Sequence, residues 1–538
     1  MKSIAVLLAG NITDRAFEPF SDGKSAFYRA VSAAAQFPHV SKIVVFVPEK
    51  YPGDSLLPAV SALHDMSDSA AGNSVSFDII ETEWSVGPLF LSLKSETEDF
   101  DHVYISWADA PFTDPEFTAK LFKKHMQQAA EYTFADGYPY GLSPEILARG
   151  IVPILSDMEK ESRDPITRNA VFDIIKKDIN SFDIETDIAP ADLRHLRLQL
   201  TCDTKRNTQV CMALSGINAA NYADVIQKNT ASLYTVPAFY AIQVAGKCPY
   251  ECDYCPYPQF CKSGKGSSPG VPATERTDYM TADDFSAIAG KIAGYSEDAV
   301  VSLSLWGEPS YHPEIAEMVR TVLAYPGLSV LIETTGLGWT EEKVEAIKNA
   351  VSGVSAGFRK QNPVNWIVSL DAVSPECYGI VHGIKEKSLS EKYLAEALNF
   401  TDLLIKSFPG AVWPQMVRMK ENEKELEHFY RFWKEKNGQV IIQKHDSFSR
   451  SIEDRRVADL SPLVRNPCWH LKRDMSILID GAVPLCREDI YAARFSGNVI
   501  TDGLEQIREK VRPVYDEHTQ CVYKGLCEDC DEYYTYNF

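Results

Sequence analysis

The sequence has no apolar run approaching the length of a bilayer span, so hydropathy offers no transmembrane helix. It also lacks an excess of positive charge. Its 54 Lys and Arg stand against 75 Asp and Glu, for a net charge of −21, which argues against a nucleic-acid backbone or an anionic membrane as main partner and is accounted for by solubility. An export signal is missing as well. Met1-Lys-Ser-Ile-Ala-Val-Leu-Leu-Ala-Gly10 begins like one, but its apolar stretch is short, and Gly10-Asn11 leading to Asp14 and Arg15 reads as a strand entering a loop. A cytoplasmic chain is therefore expected. In a reducing cytosol its 12 cysteines are expected to be metal ligands or buried thiols rather than disulfides. No internal repeat is present. What remains is an ordinary globular composition, 45% apolar and 24% charged over 538 residues, enough for about three domains.

The hydrophobic periodicity divides the chain. Residues 1–230 alternate strand and helix, with strands at Ile4–Leu8, Lys42–Val47 and Val103–Trp107 and helices at Ala26–Phe37 and about Asp114–Glu131, the pattern of an α/β domain with a mostly parallel, Rossmann-like sheet. A second alternation fills 237–445. Its strands read as Tyr240–Ala245, Val300–Leu305, Ser329–Glu333, Trp366–Leu370, Trp413–Arg418 and Gln439–Gln443, with helices between them. Six such units predict a partial (β/α)6 TIM-like barrel, whose functional residues should sit at the C-terminal ends of the strands. Residues 462–538 are short, turn-rich and hold five cysteines, a small Cys-rich domain.

Directly after the first barrel strand come Cys248, Cys252 and Cys255, spaced C-x3-C-x2-C. That spacing brings three thiolates onto one side of a tight loop. Three sulfurs can hold three irons of a [4Fe–4S] cube and leave the fourth without a protein ligand, open to a small molecule. The segment 262–277, rich in Gly, Ser and Lys, reads as a flexible loop covering this region.

Cys248-x3-Cys252-x-Tyr254-Cys255 after a first barrel strand resembles the radical S-adenosylmethionine (radical SAM) superfamily. The resemblance implies that the open iron binds the methionyl amino and carboxylate groups of S-adenosyl-L-methionine, and that one electron cleaves the cofactor to a 5′-deoxyadenosyl radical that abstracts hydrogen from substrate. Protein Fe–S potentials span about −700 to +450 mV and this reaction needs the reducing end. Leu305-Trp306-Gly307-Glu308-Pro309 resembles the family's G-G-E-P motif with Trp306 in place of the first Gly; backbone and Glu308 would face the cofactor's ammonium. Glu333-Thr-Thr-Gly336 ends the third strand, where members of that superfamily often have an E-T-N-G-like segment, and by the same resemblance Ser369 and Asp371, ending the fourth, would lie near the methionyl carboxylate and the ribose; Arg418 on the fifth strand is expected to point inward. Each position has a plainer reading as barrel packing or capping. No catalytic residue is assigned.

In the tail, Cys468-x12-Gly481-x4-Cys486 is followed by Cys527-x2-Cys530, and Asp480-Gly481 signals a hairpin turn. This resembles the SPASM or twitch auxiliary-cluster domain, which implies a second [4Fe–4S] cluster on Cys468, Cys486, Cys527 and Cys530. Cys521 departs from the shortest version and is an alternative ligand, and zinc is the alternative metal. Cys202, Cys211, Cys261 and Cys377 read as plain thiols.

The N-terminal domain resembles nucleotidyltransferases through Gly10, Arg15 and Lys24, through Asp109 in a D-x-P turn, and through Asp203 in a late strand. A working domain of that kind would bring Mg2+ and a nucleotide, although Gly10-Asn-Ile-Thr-Asp14 lacks the usual glycine-rich loop. The whole arrangement is similar to spiro-SPASM proteins. The expectation is thus a radical SAM oxidoreductase-type enzyme that binds neither nucleic acid nor membrane and draws on a reductant such as flavodoxin or ferredoxin. Its substrate would be a sugar- or nucleotide-linked alcohol or a peptide. The competing readings are a nucleotidyltransferase with a non-catalytic Fe–S module and an Fe–S electron carrier.

Overall fold

The computed structural model describes residues 1–10, 12–49, 75–263, 278–354 and 362–533. The predicted cover at 264–277 lies outside the described residues. The chain forms two compact units, Met1–Leu233 and Tyr234–Phe538.

The first unit is built on a seven-stranded sheet of β1 (Ser3–Leu8), β2 (Val40–Pro48), β3 (Ser76–Thr82), β4 (His102–Trp107), β5 (Tyr132–Asp136), β6 (Glu145–Ala148) and β7 (Ile184–Ile188), in the order β3-β2-β1-β4-β6-β5-β7. β6 runs antiparallel to both of its neighbours, and the other pairings are parallel. β1 is buried along its whole length, as a continuous apolar run predicts for a strand covered on both faces.

The second unit carries β8 (Phe239–Ile242), β9 (Ala299–Ser302), β10 (Leu328–Thr334), β11 (Val364–Ser369), β12 (Val412–Arg418) and β13 (Ile441–Lys444). These six parallel neighbours in sequence order are the expected partial (β/α)6 barrel. Helices cover the outer face. Trp366 on β11, fully buried, packs edge-on against Trp339 and Phe400. The helix Ala282–Ser296 starts where Thr281 accepts the Asp284 amide, with Asp283 and Asp284 favouring the helix N-terminus.

The tail continues the same sheet. β14 (Asp474–Ile477) pairs in parallel with β8 at the edge of the barrel. The Asp480-Gly481 turn follows, closed by Leu478 N–H donating to Ala482 O, with Gly481 at φ +81°. β15 (Ala482–Pro484) then pairs with β16 (Phe495–Asn498) rather than with β14. The hairpin signal therefore marks a real turn, but its first arm is taken by the barrel. Among the described residues no helix is long and apolar enough to cross a membrane.

Candidate functional site

The loop after β8 is pinned at its base by the turn after β9. Glu308 N–H donates to Lys247 O at 2.7 Å. Gly307 is at φ +78°, and a Cβ there would sit 2.1 Å from Ala245 O, so only glycine lets the two segments touch. Cys248 is exposed, Cys255 half-buried and Cys252 buried. Burial pushes the thiols of Cys248 and Cys255 up to about 12 and Cys252 well above its usual range, and the charges of Cys248 and Cys255 add to the rise at Cys252. Such thiols give up protons to bound cations rather than to water.

Residues without a motif hold the loop from below. The helix Pro375–Val381 and the residue after it present Tyr378 and His382; His382 Nδ1 lies 3.2 Å from Cys252 Sγ, and the hydroxyls of Tyr250 and Tyr378 are 2.6 Å apart. Tyr254 donates to Asp371 Oδ2 at 2.9 Å, while Val417 N–H donates to Asp371 Oδ1 at 2.6 Å. Asp371 is fully buried in left-handed backbone at φ +59°, and burial raises its carboxyl to about 7. Its side chain therefore ties the cysteine loop to β12.

The other strand-end residues separate into two groups. Gln415 Nε2 reaches Glu333 Oε1 at 3.3 Å and Ser369 Oγ at 3.4 Å, placing all three on the concave face. Burial raises the Glu333 carboxyl, while the charge of Arg487 and the Gln415 hydrogen bond oppose that rise. Arg418 does not join them, contrary to the expected inward direction. Alternation along β12 puts it on the face of Met416, opposite Gln415, and it forms a two-point pair with Glu423 at 2.7 and 2.8 Å. Glu308 also departs from expectation. Its carboxylate is turned to the end of β10 and accepts from Thr334 Oγ1, Thr335 Oγ1, Thr335 N–H and Ser310 N–H at 2.6–3.1 Å, so its hydrogen-bonding capacity is used within the fold. Trp306 stacks on Tyr257 at 6.1 Å and packs against Phe448, and Pro309 is buried behind it.

The tail cysteines gather without Cys521. Cys468, Cys486, Cys527 and Cys530 line one cavity, together with His518, Arg487 and Glu488. His518 Nδ1 accepts the Cys468 amide at 3.4 Å. Cys521 is exposed and does not line this cavity. Arg487, next to Cys486, is held by Asp446 at 2.6 Å and Glu488 at 3.1 Å. In the N-terminal unit Asp109 and Asp203 converge, on the guanidinium of Arg168.

Around one tetrahedral zinc, with Zn–S near 2.3 Å, ligand sulfurs lie about 3.8 Å apart. Among the described residues the only three metal-type ligand atoms within 4.8 Å of one another belong to Asp446, Asp531 and Glu532, a set crossed by Lys444. Among the described residues no three thiols of either cysteine group lie within that distance of one another.

The family model described as "Radical SAM superfamily" matches residues 242–432. An uncharacterized protein of Treponema pallidum (strain Nichols) is 46% identical over 369 residues, covering 68% of this chain and 98% of that protein. Among solved structures, SuiB of Streptococcus suis bound to precursor peptide SuiA shares 12% identity over 66% of this chain and 78% of that chain, with a TM-score of 0.39. A cytidylyltransferase from Leptospira borgpetersenii shares 14% identity over 43% of this chain and 96% of that chain, with a TM-score of 0.35.

Proposed function

Since this chain belongs to the radical SAM superfamily, we propose that it is an oxidoreductase-type enzyme carrying two [4Fe–4S] clusters. Cys248, Cys252 and Cys255 hold the first, and Cys468, Cys486, Cys527 and Cys530 the second. When bound, the first cluster supplies the electron that cleaves S-adenosyl-L-methionine and so generates the hydrogen-abstracting radical.

The residues of the chain do the rest. His382 orients the Cys252 thiolate, and the Tyr254–Asp371 bond fixes the loop against β12. Glu333, Ser369 and Gln415 offer polar groups to the cofactor from the concave face, and the backbone at Gly307 offers its own; Trp306, Glu308 and Pro309 act by shaping that turn. Glu333, whose carboxyl feels the charge of Arg487, and Arg487 itself, beside Cys486 and paired with Asp446 and Glu488, add polar and charged groups near the cysteines. That suits a polar substrate, a sugar- or nucleotide-linked alcohol or a peptide side chain, and Cys468, Cys486, Cys527 and Cys530 would hold a cluster able to take up an electron from it. A small reductant such as flavodoxin or ferredoxin supplies the first cluster.

The observation that carries this reading is the convergence of three loop thiols on the C-terminal edge of a parallel barrel. Its test is anaerobic reconstitution with iron counted per chain. Wild type should bind about twice the iron of the Cys248/Cys252/Cys255→Ala variant and of Cys468→Ala, and only forms with the loop cysteines should release 5′-deoxyadenosine after reduction. Uptake of iron without cofactor cleavage would leave an electron carrier.

A further inference from the structure

We infer that the N-terminal unit works without a divalent cation, because Arg168 already stands as the cation between the two carboxylates a metal would need. Arg168 Nη1 and Nη2 grip Asp109 Oδ1 and Oδ2 at 3.1 and 2.5 Å, and Nη2 also reaches Asp203 Oδ2 at 3.1 Å. The remaining oxygen, Asp203 Oδ1, accepts from Thr201 Oγ1 at 2.9 Å and Asn207 Nδ2 at 2.8 Å. All four carboxylate oxygens are thus engaged by donors of the chain itself. The side chains of Asp109, Asp203 and Arg168 are 1%, 5% and 11% exposed.

The guanidinium is also clamped in place. It lies over the Trp107 ring at 4.6 Å and near Tyr140 at 5.7 Å, and the Tyr140 hydroxyl donates to the Arg168 carbonyl at 3.2 Å. A planar fork matched to a carboxylate keeps its charge at any working pH. A metal entering here would have to expel that fork from two buried carboxylates and strip it from two aromatic faces.

Gly10 ends the loop strand where close approach to phosphate was expected, yet a Cβ on it would lie 1.8 Å from the Trp84 ring. The indole packs directly against the Gly10 backbone. The cation position between the two carboxylates is therefore filled by a side chain of this chain, which speaks against Mg2+-dependent nucleotidyl transfer in this unit. This inference does not depend on either cluster.

The test uses Mn2+ alone as the probe, titrated into full-length protein with oxidised, EPR-silent clusters while the signal of free Mn2+ is followed. Wild type and Asp203→Asn should take up the same amount of Mn2+. Arg168→Met should gain one tight site, lost again in Arg168→Met/Asp109→Asn, and its Tm should rise with added Mn2+. A wild-type site abolished by Asp203→Asn would overturn the inference, as would an Arg168→Met protein that folds but gains no site. If Arg168→Met does not fold, the comparison of wild type with Asp203→Asn decides alone.

Discussion

Replacing Gly307 by Ala tests whether the turn after β9 sets the position of the cysteine loop. The backbone there is left-handed, which costs an ordinary residue roughly 1–2 kcal/mol. The added methyl would meet Ala245 O at 2.1 Å and Lys247 O at 3.2 Å, both main-chain atoms with no rotamer to change. Relieving that overlap costs about 1–3 kcal/mol more, so the total is on the order of 2–5 kcal/mol. The relief must come from the segment 245–247, directly before Cys248, and it would break the Glu308 N–H bond to Lys247 O. Two readouts follow: the midpoint of denaturant unfolding, and iron bound per chain after anaerobic reconstitution. Both should fall in Gly307→Ala. Gly294→Ala is the control, because its Cβ meets nothing within 4 Å on the helix Ala282–Ser296. There, Ala should gain roughly 0.5–1 kcal/mol and leave iron unchanged. A Gly307→Ala protein with wild-type midpoint and full iron would refute the account of this turn.

Glu308→Gln puts an NH2 among four donors and should destabilise the barrel by about 1–3 kcal/mol, measured by denaturant unfolding, whereas a cofactor-only role would leave stability unchanged. Asp371, with its folded pKa raised to about 7 from 3.8, favours the fold below pH 4 and loses that contribution as pH rises through 7. Asp371→Asn, measured without iron, should flatten this slope, worth up to roughly 4 kcal/mol at 1.36 kcal/mol per unit. Arg168→Met without metal removes the guanidinium from two buried carboxylates and should cost the N-terminal unit about 3–5 kcal/mol. Because those carboxyls would then have raised pKa values, the loss should deepen from pH 5 to pH 8.

The barrel was legible because each strand is a short apolar run ending at a chemical landmark: Cys248 after β8, Gly307 after β9, Glu333 on β10, Ser369 on β11. Direction across a strand was harder. Arg418 lies one residue from Val417 and three from Gln415, and only the register Ser369↔Gln415 fixes which of them faces Glu333. Gln415 has no motif, and its partners lie 82 and 46 residues away. His382 and Arg168 escaped for the same reason. Each acts on a residue far along the chain, 130 positions for Cys252 and 59 for Asp109, and nothing local marks a lone His or Arg as a partner. The Asp480-Gly481 turn was readable, but the partner of the strand before it depends on an open barrel edge.

That edge bears on how the protein is made. β8 pairs with β14, Phe239 opposite Asp474, so the strand that launches the cysteine loop waits for a partner synthesised more than two hundred residues later. Until the ribosome releases that stretch, β8 presents an uncovered row of amides and carbonyls, a surface that recruits foreign strands. Pairing over so long a loop is slow. Chains terminated before residue 474 should therefore accumulate as insoluble material.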